Sequence, residues 1–184
     1  MMQFTRFGFR TVTTGAILLY RSVGPQIPGR IEKMGRVANL FIAAERRKPM
    51  KAVEQVVALV DQGFEGCIHG RQGSKRQLLI IDGETLAEFK LPPGSMRENI
   101  TIEGVNIAEL RAGQRLAIGA AVLEVTIPCE PCHRVNEIRM GLQEALKNRR
   151  GMLCRVIEGG RISIGDAIEV SAAAIAISNL GGAR

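Results

Sequence analysis

The sequence predicts a mainly β chain of the α+β kind, folded as a closed or partly closed β-barrel with two main helices on its rim. Apolar segments are short and separated by turns such as Asp82-Gly83, Gly119-Ala120, Gly159-Gly160 and Gly165-Asp166, the punctuation of an all-strand architecture. Only two stretches carry the 3–4 spacing of a substantial helix. The regular strand–helix alternation of a nucleotide-binding sheet is missing, as are the phosphate-loop and dinucleotide glycine motifs.

The 184 residues suffice for one domain with a real core, and with only 4% aromatics and no Trp that core must be aliphatic. Residues 1–33 stand apart. They carry Arg6, Arg10, Arg21, Arg30 and Lys33 against Glu32 alone, and are broken by Gly24-Pro25 and Pro28-Gly29. An Arg-rich, acid-poor start resembles an organelle presequence. The simpler expectation is a disordered extension, or a start placed upstream of a true beginning at Met34. The single domain is then expected at residues 34–184.

Within it, residues 37–44 form an apolar run of strand length. Met50, Val53, Val56, Val57 and Val60 then give one buried face of a helix through Gln62, with Pro49 in its first turn and Gly63 beyond its end. Lys48 and Lys51 at that helix start are placed to join its amides in holding an anion. Residues 63–73 are too glycine-rich for a regular element and bring Cys67, His69 and Arg71, followed by Ser74, Lys75 and Arg76. Cations beside such a turn suit an oxyanion or phosphate.

Residues 77–81 read as a strand and residues 85–89 as a second strand or a short helix. Residues 100–102 are a strand with Arg97, Glu98 and Asn99 at its start, aimed into a cleft or serving only as a turn cap and a surface pair. Asn106 is suited to cap one helical turn. Residues 115–118 and 121–127 make a hairpin, residues 136–148 a second helix capped by Asn136, and residues 153–157, 161–164 and 167–170 three short strands.

The chemistry concentrates after the hairpin. Ala121, Leu123, Val125 and Ile127 alternate with Val122, Glu124 and Thr126, and Pro128 ends the ladder because it has no amide hydrogen to donate. Cys129, Cys132 and His133 follow directly, three potential metal ligands on the rigid end of a strand. Cys129 and Cys132 also have redox-dithiol spacing, but the setting is not thioredoxin-like, and the metal reading is preferred. The four cysteines (with Cys67 and Cys154) and no secretory signal point to free thiols in a reducing, cytoplasmic compartment, or an organelle if residues 1–33 are a presequence. The net charge of +7 comes without aromatic–basic interleaving, so neither nucleic acid nor a membrane is an expected partner.

Four pieces in order resemble the MOSC domain family, named for the C-terminal domain of molybdenum cofactor sulfurase. They are Gly66-Cys67-Ile68-His69 running into Arg76-Gln77-Leu78-Leu79; Arg97-Glu98-Asn99-Ile100 with Gly104; residues 116–126 leading to Pro131-Cys132; and Arg150-Gly151 through Arg155-Val156 to Gly165-Asp166. Together they span about residues 34–170, as in a stand-alone, prokaryotic-type member. The resemblance implies a barrel that handles molybdenum cofactor (molybdopterin) or sulfur bound for a metal centre. It makes Cys132 the catalytic thiol, as molybdenum ligand or sulfur carrier. It assigns Arg76, Arg97 and Asn99 to the anionic pterin and its phosphate, with Arg71, Lys75, His69 and Lys48 as further cofactor-binding positions. Cys67 departs from the family's commoner Asp.

The implied activity is molybdenum-dependent reduction or sulfur transfer. An alternative is a persulfide-carrying adaptor whose pyridoxal phosphate sits on a partner cysteine desulfurase, and a molybdoenzyme or electron-transfer protein is a further partner of the expected kind. The second alternative is a zinc-stabilised module using Cys129, Cys132, His133 and one of Cys67, His69 or Cys154.

Overall fold

The computed structural model describes residues 31–172 together with Pro25 and Ile27. Its elements in order are β1 (Ile31–Ile42), β2 (Lys51–Val53), β3 (Gln55–Leu59), β4 (Gly63–Phe64), β5 (Leu78–Asp82), α1 (Gly83–Glu88) and β6 (Ile100–Glu103). A 3-10 turn at Ile107–Glu109 leads to β7 (Arg115–Ile118) and β8 (Ala121–Pro128). A second at His133–Glu137 precedes α2 (Leu142–Ala145), β9 (Met152–Glu158), β10 (Gly160–Ser163) and β11 (Ala167–Ser171).

Seven strands close on themselves in the order β11, β7, β8, β9, β5, β6, β1, with β1 pairing back onto β11. Closure leaves none of the seven as a free sheet edge. The mainly β barrel with two small helices is therefore the observed architecture. β2 extends the far end of β1, and β10, β3 and β4 form a separate three-stranded sheet. All ring pairs are antiparallel except β5–β6, whose crossover runs through α1.

The barrel interior is aliphatic: Leu78, Ile80, Ile100, Ile102, Leu116, Ile118, Leu123 and Ile168 are at most 1% exposed. β5 is buried on both faces. Leu78 and Ile80 point into the barrel, Ile81 packs under the helices with Leu86, Leu142 and Leu146, and Leu79 packs with Cys129 and Leu153. Asp82 ends the strand and caps α1. One of its carboxylate oxygens accepts from Thr85 N and the other from Ile107 N, both at 2.7 Å, so a single buried side chain ties two elements to the barrel.

From β5 onward the strands fall within a residue or so of where the sequence places them, and Asn106 caps the Ile107–Glu109 turn through Ala108 N. Three elements differ. β1 begins six residues before the predicted strand, its first half pairing with β11. The expected helix over residues 50–62 is instead β2 and β3. Val56 and Ala58 are buried while Gln55 and Val57 face outward: the valine spacing is that of a helix face, but β-branched side chains favour the extended backbone. The Lys48/Lys51 helix terminus therefore does not exist.

The helix over residues 136–148 is reduced to a 3-10 turn and α2, because Gly141 sits at φ 82°, outside helical space. Leu142 and Leu146 are buried as expected, but Ile138 is 43% exposed. Asn136 does act as a cap, for α2 rather than its own turn, accepting from Gln143 N at 2.9 Å. The N-terminal extension lies outside the described residues except for Pro25, Ile27 and its last three positions, which open β1. Residues 173–184 also lie outside.

Candidate functional site: an arginine-lined groove with a thiol at its edge

The loops that follow β1, β4, α1 and β8, with Arg150 just before β9, make two adjoining hollows of about 600 and 510 Å³, with Arg47, Arg97 and Arg134 lining both. The larger has an apolar floor from Phe41, Met50, Pro93, Met96 and Val135, with Lys48, Arg150 and Cys132 at its sides. The smaller is lined by Arg46, Arg71, Arg76, His69 and Ser74 besides the shared arginines.

Local backbone geometry delivers these groups. Arg97 and Arg47 both adopt φ 61°, a left-handed conformation that costs a non-glycine residue about 1 kcal/mol. Their side chains are thereby turned into the groove rather than along the chain. Gly94, at φ 86°, lets the loop before β6 lie against Phe41: a Cβ there would fall 2.9 Å from the ring. The loop carrying His69 to Arg76 is anchored by Asp61, which accepts from Gly73 N and Gln77 Nε2, both at 2.8 Å. Gln77 is fully buried and in turn accepts from Val156 N at 2.9 Å.

Arg97 is held from two sides. Nη1 donates to the Lys48 carbonyl at 2.8 Å, and Nη2 lies 3.1 Å from His69 Nε2. With a guanidinium as donor, that imidazole nitrogen accepts, so the ring is neutral and protonated on Nδ1. Burial, and then the Arg97 charge, hold the His69 pKa below its usual 6.5, in keeping with that tautomer. His69 therefore aims Arg97 without adding charge. Among the described residues no salt bridge reaches Arg46, Arg47, Arg71, Arg76 or Arg97. Arg134 has only Glu137, at 4.0 Å. So dense a cluster of unpaired cations is a focused positive field suited to an oxyanion.

Cys132 is exposed, at the foot of the His133–Glu137 turn. Cys129 is buried against Leu79 and Leu153, and Arg150 Nη1 donates to its sulfur at 2.6 Å. Burial pushes the Cys129 thiol up from 9.0, the charges of Arg150 and Arg76 oppose this, and Cys132 is near enough to add to the rise. Cys67 Sγ accepts from Asn99 Nδ2 at 3.4 Å and Ala43 N at 3.5 Å. Cys154 is wholly inside the barrel, where burial raises its pKa strongly.

The structure thus brings Cys132, Lys48, His69, Arg71, Arg76 and Arg97 to one groove. It does not bring Lys75, which lines neither hollow. Asn99 is 1% exposed with its amide fully engaged by the barrel. His133 is exposed and lines neither hollow. The four-ligand zinc arrangement is not assembled: among the described residues no three His, Cys, Asp or Glu side chains converge. Sequence reasoning missed Arg47 and Phe41, and it placed Arg150 among the family-like pieces without giving it a site role. Its neighbour Gly151 was the available signal, since a Cβ there would lie 2.3 Å from the Ile80 carbonyl.

Glu98 lies behind the groove, fully buried. Its Oε1 accepts from Gly94 N and Thr101 Oγ1, while Oε2 has no partner. Burial raises its pKa above 4.5 against those hydrogen bonds. The folded protein holds this proton longer than the unfolded chain, so the associated stability is complete below the unfolded value and is lost as pH rises through the folded one. Glu98→Gln is therefore expected to raise the melting temperature near neutral pH and to leave it nearly unchanged around pH 4. An equal shift at both pH values, or none, would show that the carboxylate is not strained by burial.

A closed barrel bears a strongly cationic groove with an exposed thiol at its edge, a charge and donor set suited to an anionic ligand. The chain belongs to the MOSC domain family, whose model matches residues 70–169, just over half of the sequence. MOSC domains as a class are associated with molybdenum cofactor binding and sulfur transfer. Among solved structures, the YuaD protein of Bacillus subtilis is 19% identical with a TM-score of 0.65, the match covering 77% of this chain and 98% of that one. YiiM of Escherichia coli is 21% identical with a TM-score of 0.58, over 76% and 71%. YiiM of Geobacillus stearothermophilus is 17% identical with a TM-score of 0.59, over 78% and 77%. These likenesses are of fold. No curated protein sequence matches the chain. Among the described residues no helix is long and apolar enough to cross a membrane.

Proposed function

We propose that the groove binds the molybdenum cofactor and that Cys132 supplies the thiolate at its metal. One observation carries the reading: a hollow with an apolar floor opens, through three shared arginines, into a second hollow of unpaired guanidiniums, with the accessible thiol at the lip. That layout fits a flat ring bearing a phosphate at one end and a soft-ligand-seeking metal at the other. Arg76, Arg71 and Arg134 would hold the phosphate through charge-assisted hydrogen bonds, and Arg97, fixed by His69 and the Lys48 carbonyl, the bridge between the hollows. Phe41 and Met96 would pack against the ring and exclude water. When bound, the cofactor supplies a redox-active metal for reduction chemistry. The side chains bind and orient, and Cys132 provides a soft anionic donor.

A second reading, sulfur transfer, is favoured by the exposure of Cys132. A persulfide on an accessible thiol can be presented to a partner, and the adjacent cations suit its anionic form. A cysteine desulfurase carrying its own pyridoxal phosphate would be the supplier.

Arg134 is exposed and lines both hollows, so removing it tests the cofactor reading without disturbing the core. Arg134→Ala is expected to lower retention of phosphorylated pterin roughly tenfold, the weight of one charge-assisted contact, in protein purified from a cofactor-producing host. The loss should deepen with added salt, as read by pterin fluorescence after oxidation. Unaltered retention at all salt concentrations would contradict the groove assignment.

A further inference from the structure

The geometry points to Cys129 as a resolving thiol for Cys132: a buried partner that attacks a persulfide on Cys132, closes a Cys129–Cys132 disulfide and releases the outer sulfur as hydrosulfide. The inference rests on the sulfur-transfer reading and adds the step by which the sulfur leaves. Four observations support it. The two thiols are separated only by Glu130 and Pro131. Both are free.

The segment between them is held at each end. Cys129 N donates to the Gly151 carbonyl at 2.9 Å, the Cys132 carbonyl accepts from Val135 N at 3.1 Å, and Gln143 Nε2 donates to the Pro131 carbonyl at 3.2 Å. Arg150 bonds one thiol and borders the hollow of the other. It lines the same hollow as Cys132, donates Nη1 to Cys129 Sγ, is steadied by Nη2 on the Met96 carbonyl at 3.2 Å, and keeps a buried Nε–H without a partner. A guanidinium so placed stabilises the Cys129 thiolate as it forms.

The step balances. Cys129 gives up its proton to solvent and its sulfur bonds to Cys132 Sγ, while the bond from that atom to the outer sulfur breaks. The outer sulfur leaves with the electron pair as hydrosulfide and is reduced, and the Cys129 sulfur is oxidised to the disulfide level. A dithiol reductant of the thioredoxin class resets the pair by returning two electrons and two protons.

The full chain is first reduced, then incubated with a cysteine desulfurase and L-cysteine, freed of small molecules, and followed by released sulfide and by peptide mass. Residues 116–134 fall on one tryptic peptide holding both thiols. The wild-type peptide is expected to lose two hydrogens, with one sulfide released per chain, whereas Cys129→Ser and Cys129→Ala keep one extra sulfur and release none. Persistence of the extra sulfur on the wild-type peptide, without sulfide release, overturns the resolving role and leaves Cys132 a carrier. An unmodified wild-type peptide overturns the sulfur-transfer reading and the inference with it. The wild-type result stands alone should either variant fail to fold.

Discussion

Asn99→Ala is expected to destabilise the barrel by roughly 2–6 kcal/mol, the largest single-residue stability effect at this site, because it strands two buried backbone groups at about 1–3 kcal/mol each. Asn99 sits where β6 begins between β5 and β1. Its main-chain N donates to the Leu79 carbonyl at 2.8 Å, and its carbonyl accepts from Phe41 N at 2.9 Å. Its side chain repeats the pairing, with Oδ1 accepting from Leu79 N at 3.1 Å and Nδ2 donating to the Phe41 carbonyl at 3.2 Å. One residue thus bridges both neighbouring strands with main chain and side chain alike. Urea unfolding should show a lower midpoint with an unchanged slope. A wild-type midpoint together with lost cofactor would return Asn99 to the ligand-contact role that the family resemblance implies.

Cys132→Ser is expected to abolish molybdenum retention while leaving the melting temperature within a degree or two, since an exposed serine-for-cysteine change touches no packing and costs little. The hydroxyl is a poor substitute because it is not ionised where a thiolate is. Cys129→Ser provides the contrast. It lies off the groove against Leu79 and Leu153, so it should retain the metal at some cost in stability, with the Arg150 guanidinium losing its sulfur partner. Equal molybdenum in wild type and Cys132→Ser would remove Cys132 from the metal. Loss in Cys129→Ser alone would reassign the ligand to the buried thiol.

The barrel was legible because its strands are locally specified. The alternation over residues 121–127, the turn at Gly119-Ala120 and the short apolar segments between glycine turns after Gly151 are local signals, and Pro128 marks where pairing stops. The helix expected at residues 50–62 failed for a physical reason: the 3–4 spacing of Val53, Val56, Val57 and Val60 is a local signal only, and the tertiary pairing of Gln55–Leu59 with Gly160–Ser163, which suits β-branched side chains, overrode it. The helix at residues 136–148 was half right, since the leucines face inward but Gly141 breaks the run.

For the site, residue type singled out the Cys129, Cys132 and His133 cluster and the basic loop with Arg71 and Arg76, and the family resemblance then pointed to Cys132, Arg76 and Arg97. Placement was another matter. That Asn99 faces two strands while Arg47 turns into the groove depends on β1, β5 and β6 being neighbours, and on a left-handed backbone at Arg47. The same holds for Arg150, whose partner Cys129 is 21 positions away in sequence.

The most direct measurement is joint elemental and pterin analysis of the wild-type protein from a cofactor-producing host. The account predicts molybdenum and phosphorylated pterin in equal amounts, about one per chain. Stoichiometric zinc, or a metal-free protein with no pterin, would contradict it.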